Sequence, residues 1–341
     1  MPTENRLRAR RILVLFALLL AGSVAKSQQD NTARPQAPGR LVDLGGYKLH
    51  LWCSGSGTPA VVLSSGSGDF SFDWTLVQSE IGRTTRVCSY DRGGEAWSDL
   101  GPSPLTLRQE AFDLRRMLQK SAVSGPYVIV GHSLGGMLAE VFASQYPLDL
   151  SGLVLVDASN WNSLLNINGK VAAMKNFSKH RTIPEPRSQT LPSDRLSAEA
   201  LQQIKDFVKQ YDMQPRIEPP YDKLPAIAQG WRLWALSQPS HWAATQNEYF
   251  GEEAELLSQW AVRTTHPLGS LPLVVLSRKT PEKPNELDED HETHQRELAD
   301  LSSRGRLIFV PQTGHHIQLE QPNAVIAAIK ETIGEVRQGN R

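Results

Sequence analysis

A chain of 341 residues is long enough to bury a sizeable core, and with 40% hydrophobic and 21% charged residues it sits near globular averages, which argues against a disordered, collagen-like or multi-span membrane protein. The 36 Lys and Arg are matched by 36 Asp and Glu. With no basic excess, no nucleic-acid partner is predicted.

In chain order, four arginines (Arg6, Arg8, Arg10, Arg11) precede the apolar run ILVLFALLLA at 12–21, and Ser23 and Ala25 place small residues just before Lys26. This basic–apolar–small pattern predicts a secretory signal peptide over residues 1–25. The run is shorter than the ~20 residues of a spanning helix, so membrane attachment is expected only if the segment stays uncleaved. Residues 26–39 read as a polar, Pro-containing linker before a domain over 40–337. The expected location is therefore secreted or periplasmic. An oxidising compartment favours the one disulfide that Cys53 and Cys88 can form, the alternative being two separate buried thiols.

Runs at 41–44 and 47–52 flank Gly45-Gly46 and predict a hairpin. Short apolar runs follow at 60–63, 87–90, 127–130, 153–156, 273–276 and 307–310, as expected for strands covered on both faces of a parallel sheet. Leu107, Ala111, Leu114 and Leu118 recur at helical spacing, with Thr106 and Gln109 as a capping-box start. Leu138, Val141 and Phe142 line a second helix that stops near Pro147. Alternating strands and helices predict an α/β sheet with right-handed crossovers. The stretch between Val156 and Leu273 is too long for one crossover. Its helical patterns (198–211, 226–236, 252–262), Pro-rich joints and most of the tryptophans predict a helical cap over about 160–250, ending in one ordinary crossover helix.

Between the strand at 127–130 and the following helix lies Gly131-His132-Ser133-Leu134-Gly135. G-x-S-x-G in that setting is the nucleophile-elbow pattern, a tight turn whose glycines let strand and helix approach while the serine hydroxyl is presented bare. From this point the sequence resembles the α/β-hydrolase fold superfamily over roughly residues 40–335. VVLSSGSGDFSFDW (61–74) resembles the family's first parallel strand and oxyanion loop. Asp91-Arg92-Gly93-Gly94 with Trp97-Ser98 resembles its D-R-x-G-x-G-x-S segment, with Ala96 where the second glycine is usual. VLVDAS (154–159), Thr313-Gly314-His315 and Glu320-Gln321-Pro322 also match. The resemblance implies a mostly parallel eight-stranded sheet, the second strand antiparallel, with helices on both faces and the cap after the sixth strand. It also implies that the strands bearing Cys53 and Cys88 lie side by side.

A serine hydroxyl needs an imidazole base that a carboxylate orients, in the chain order Ser, acid, His. Ser133 is the predicted nucleophile, and His315, directly after Gly314, matches the family's histidine. His132 is expected to pack beneath the turn, and His316 to pack beside or line the site. The acid is open. The family's usual place after the strand at 273–276 reads Ser277-Arg278-Lys279-Thr280, so the candidates are Asp157, at the end of the preceding strand, or Glu282, Asp288 and Asp290 of the later loop. Backbone N–H groups of Leu134 and, by resemblance, Ser67 are the expected oxyanion donors.

His291-Glu292-Thr293-His294 lacks one spacer residue of the H-E-x-x-H zinc pattern and reads as an exposed amphipathic helix. Neither metal nor other cofactor is predicted. The expected function is an exported serine hydrolase acting on a small-molecule carboxylic ester through an acyl-enzyme. One alternative is an aminopeptidase-like member using Glu252, Glu253 or Glu255 to hold a substrate amine; another is a non-catalytic ligand-binding member.

Overall fold

Side chains alternate across a strand, so a strand covered on both faces must be apolar on both. Eight strands obey this to different degrees in one sheet: β1 (Arg40–Asp43), β2 (Lys48–Ser54), β3 (Val61–Ser64), β4 (Val87–Tyr90), β5 (Tyr127–His132), β6 (Leu150–Val156), β7 (Leu273–Arg278) and β8 (Gly305–Val310). Their spatial order is β1-β2-β4-β3-β5-β6-β7-β8. As expected, β2 is antiparallel, pairing so with both β1 and β4, and the remaining pairings are parallel. The computed structural model describes residues 34–167, 170–176, 183–249 and 251–339; the predicted signal peptide lies outside them.

Val62, Ile129, Leu155 and Val275 point to one face, which is covered by α2 (Leu107–Lys120) and α3 (Leu134–Gln145). Val61, Leu63, Val130, Val154 and Val274 point to the other, covered by α1 (Thr75–Ile81) and α10 (Pro322–Gly339). The four residues that predicted α2 are all buried, and the Thr106 hydroxyl accepts from the Gln109 N–H at 3.0 Å as its N-cap. The run at 307–310 is a correction. It forms the edge strand β8, where burial alternates and Ile308 is 39% exposed, because among the described residues no ninth strand or helix covers that side.

After β6 the long insertion contains α4 (Ala198–Gln210), α5 (Ala226–Leu236) and α6 (Pro239–Asn247), then α7 (Gly251–Ala261), which packs on α3 as a crossover helix does. A two-stranded hairpin (Leu164–Ile167 with Lys170–Ala173) was not predicted. Leu224, Ala228 and Trp234 of the insertion bury Phe70, Phe72 and Trp97 in a third apolar cluster, so the insertion sits on the loop that follows β3. Beyond β7 come α8 (Glu286–Ala299) and α9 (Ile317–Glu320). No described helix is long and apolar enough to cross a membrane.

Cys53 of β2 and Cys88 of β4 face each other in register and are joined as a disulfide, their Cα atoms 4.0 Å apart. The chain leaves β3 in one direction for β4 and returns past it to β5. That reversal opens a crevice at the C-terminal ends of β3 and β5, the usual ligand position in an open α/β sheet.

Candidate active site

Ser133 sits between the last residue of β5 and the first of α3 with φ 52° and ψ −122°, a backbone state that side-chain-bearing residues rarely adopt. Sterics force the sequence around it. A Cβ on Gly131 would lie 2.3 Å from the Gly135 carbonyl oxygen, and one on Gly135 would lie 2.4 Å from the Ser64 carbonyl oxygen. Only glycine admits strand and helix at this separation. The turn is tied down by Ser133 N–H to Val156 O at 3.2 Å and by Gly136 and Ser159 N–H to Ser133 O at 2.9 and 3.1 Å. The Ser133 hydroxyl stands 3.5 Å from that of Ser159.

The loop after β8 returns across the sheet to this turn. His132 is buried; its Nε2 donates to the His315 carbonyl at 2.9 Å and its ring packs on the His315 ring with centroids 4.6 Å apart. His315 Nδ1 is 2.7 Å from Asp157 Oδ2, so the imidazole is oriented by Asp157 and leaves Nε2 to handle a proton. Glu282 is exposed, Asp288 caps the N-terminus of α8, and Asp290 bonds the Leu164 N–H and His294. The structure thus joins His315 to Asp157 in a loop that rests on His132, the neighbour of Ser133, while Glu282 is exposed and Asp288 and Asp290 hold other partners.

Asp157, at φ 42°, is buried at the end of β6. Its carboxylate accepts from more than His315. The Arg278 N–H reaches Oδ1 at 2.9 Å, His291 Nε2 lies 3.0 Å from the same oxygen, and the Arg278 guanidinium bonds Oδ2. Burial works to raise the Asp157 pKa, but hydrogen bonds from His291 and His315 and the charges of His291 and Arg278 hold it well below the usual carboxylate range. Two of these partners were missed from sequence. Arg278 is the last residue of β7, just before the position near Thr280 where the family's acid was sought. The run containing His291 and His294 is not an exposed face: His294 is buried, and the His291 side chain is only 15% exposed.

On the other side of Ser133 lies the loop after β3. A Cβ on Gly66 would come within 3.1 Å of Ser133 Cβ, so the backbone passes directly beside the nucleophile candidate. Ser67, the second expected donor, follows in an exposed turn, and Leu134 is buried at the start of α3. Two buried acids of this loop meet the insertion. Asp69 Oδ1 accepts from the Tyr221 hydroxyl at 2.6 Å, and Arg232 Nη1 donates to Asp73 Oδ2 at 2.5 Å and lies 3.4 Å from Asp69. Tyr221 also lies 2.8 Å from His316 Nε2. Its one proton goes to Asp69, so His316 is the donor in that contact. Burial drives the His316 pKa down to about 4 despite the pull of Asp69, with His132 and His315 adding to the fall. Burial, joined by the charge of Asp69, pushes Asp73 up to about 7 against the opposing charge of Arg232.

Ala96 has a left-handed backbone, φ 41°, the region that favours glycine, and it packs with Phe72 and Trp97 in the third cluster. Glu253 is not available for a substrate amine, because its two oxygens accept from the Leu107 and Arg108 N–H groups at the start of α2. The side chains of Glu252 and Glu255 lie outside the described residues.

Comparison with known proteins agrees with this fold. Residues 61–329 match the model of an alpha/beta hydrolase family. Curated relatives align over a shorter segment. An uncharacterised Mycobacterium tuberculosis protein is 33% identical over 129 residues, 38% of this chain and 37% of that protein. A probable transporter of Hormonema carpetanum is 32% identical over 127 residues, 35% of this chain and only 18% of its own length. The chain therefore spans well under half the length of these relatives. Among solved structures, an esterase of Thermogutta terrifontis superposes with TM-score 0.58 at 21% identity, covering 87% of this chain and 99% of that one. A putative lipase of Acinetobacter baumannii gives 0.57 at 20%, covering 92% and 95%. An enol-lactonase of Burkholderia xenovorans gives 0.59 at 15%, covering 86% and 100%. With an eight-stranded sheet of matching topology and a family match across most of its length, the chain belongs to the alpha/beta hydrolase family.

Proposed function

We propose that this hydrolase is a serine esterase. Ser133 attacks the carbonyl carbon of a small carboxylic ester, and His315 Nε2 takes the hydroxyl proton. The carbonyl electrons move to oxygen and return as the alcohol leaves, protonated by His315; water then releases the acid from the acyl-serine. Asp157 orients and stabilises the imidazolium, and the N–H groups of Leu134 and Ser67 hold the oxyanion. The observation that carries this reading is the 2.7 Å bond from Asp157 to His315 in a loop seated on the elbow of Ser133. The esterase, putative lipase and enol-lactonase among the structural neighbours favour an ester over an amide. The disulfide supports export to an oxidising compartment, secreted or periplasmic.

A fluorophosphonate probe is expected to label the wild-type protein at one residue, with labelling lost in Ser133→Ala while the melting temperature stays within a few degrees. Equal labelling of both proteins, or none of either, overturns the reading.

A further inference from the structure

An oxyanion hole works only if its backbone donors are already aimed before charge develops. In this chain the loop that carries one proposed donor is gripped from behind by a buried cation. Arg92, just past the end of β4, is 5% exposed. Its Nη1 donates to the Ser65 carbonyl at 2.5 Å and its Nη2 to the Gly66 carbonyl at 2.9 Å. Its Nε lies 3.5 Å from Glu110 Oε1 of α2, which steadies the guanidinium inside the protein.

The consequence follows from peptide geometry. In a trans peptide the C=O and the N–H of the next residue point in opposite directions. Fixing the Ser65 and Gly66 carbonyls toward Arg92 turns the Gly66 and Ser67 N–H groups away from it. Gly66 already lies against the Ser133 side chain. A charged donor on a carbonyl also draws electron density from that peptide and makes its N–H a stronger donor. The planar fork suits two consecutive carbonyls, whereas a lysine ammonium presents no such pair of parallel donors.

We infer that Arg92 is a positioning residue for the oxyanion hole: it fixes and polarises the Gly66–Ser67 peptide so that the Ser67 N–H meets the developing oxyanion. The inference rests on the serine-esterase reading and adds to it a residue that touches neither substrate nor nucleophile. Its mark is a loss felt in the tetrahedral state and not in ground-state binding.

The test uses the full chain and Arg92→Met, Arg92→Lys and Glu110→Gln, with p-nitrophenyl butyrate as substrate. Butylboronic acid serves as the tetrahedral mimic, and p-nitrophenyl butyl ether as a ligand of the same shape without a carbonyl. Arg92→Met is expected to lower kcat by about 10²–10³-fold, the usual cost of one lost oxyanion donor, with KM within about threefold. Boronate inhibition should weaken by about the same factor while ether inhibition stays within about twofold. The acid limb of the kcat/KM profile should not move, because the His315–Asp157 pair is untouched. Arg92→Lys and Glu110→Gln should each lose about tenfold in kcat in the same pattern, and they decide the matter if Arg92→Met does not fold. Unchanged kcat in the folded variants, or parallel losses of boronate and ether affinity, overturns the inference. A wild-type protein that neither takes the fluorophosphonate nor turns over the ester brings down the serine reading and the inference with it. Labelling of wild type together with unaffected Arg92 variants brings down the inference alone.

Discussion

Replacing Asp157 by Asn is expected to lower kcat on p-nitrophenyl butyrate by about 10³–10⁴-fold with little change in KM, as expected when the orienting carboxylate of a serine triad is neutralised. The imidazole of His315 donates from Nδ1 to Asp157 Oδ2 over 2.7 Å. An amide nitrogen at that position offers a proton instead of accepting one, so the ring is driven to the tautomer with Nε2 protonated and unable to take the serine's proton. The loss must appear in the chemical step, because Asp157 is wholly buried and out of reach of substrate. A second signature is pH dependence. The Asp157 pKa is held below the ordinary carboxylate value, so the carboxylate stays ionised throughout the neutral range in which turnover is measured. The same depression sets the sign for stability. A group with a lowered folded pKa contributes stability that is present above its unfolded value, about 3.9, and is lost as pH falls through the folded one. Acid unfolding of the wild type should therefore steepen below about pH 4, and Asp157→Asn should flatten that part of the curve. Kinetics and acid titration of both proteins check the two statements separately. A kinetic loss of tenfold or less transfers the orienting role to another group.

How much of this was legible in the sequence depends on how local the cause is. The elbow was legible because its cause is steric and contained in five residues: no side chain fits at Gly131 or Gly135. The helix at 107–120 was legible from its spacing and its Thr106 cap. His315 was legible through its Gly-His pair, but only by resemblance. Asp157 stood as one of several carboxylates, because the choice is made by which strand end faces His315, 158 residues further along the chain. Arg278 and His291 escaped altogether. Their contact with Asp157 spans 121 and 134 residues, and nothing in the local pattern of α8 separates an inward histidine from an outward one. Ala96 shows tertiary packing overriding a local rule, since a buried cluster with Trp97 keeps an alanine at positive φ. The exposure of Ile308 shows the reverse limit: an apolar run announces a strand without saying that the strand is at the edge.

The double variant Cys53→Ala/Cys88→Ala is expected to lose about 3–4 kcal/mol of stability, the chain-entropy value for a closed loop of this size. The bridge spans 35 residues, from β2 through β3, the loop with Gly66 and Ser67, and α1 to β4. Without it the unfolded chain gains the freedom of that whole segment, while the native register of β2 on β4 is still held by backbone pairing at Leu51–Tyr90, Trp52–Ser89 and Ser54–Val87. The effect should therefore fall on the unfolded state and leave the site's geometry intact. Turnover at 25 °C should stay within about twofold, and the melting temperature should drop by roughly 6–12 °C. Because β2 and β1 form the antiparallel edge of the sheet, amide exchange should quicken first there and last in β5 and β6, whose residues are buried on both faces. Thermal unfolding of the wild type with and without reductant gives the same comparison without mutation. A melting temperature indifferent to reductant, with both thiols then titratable, shows that the bridge contributes no stability.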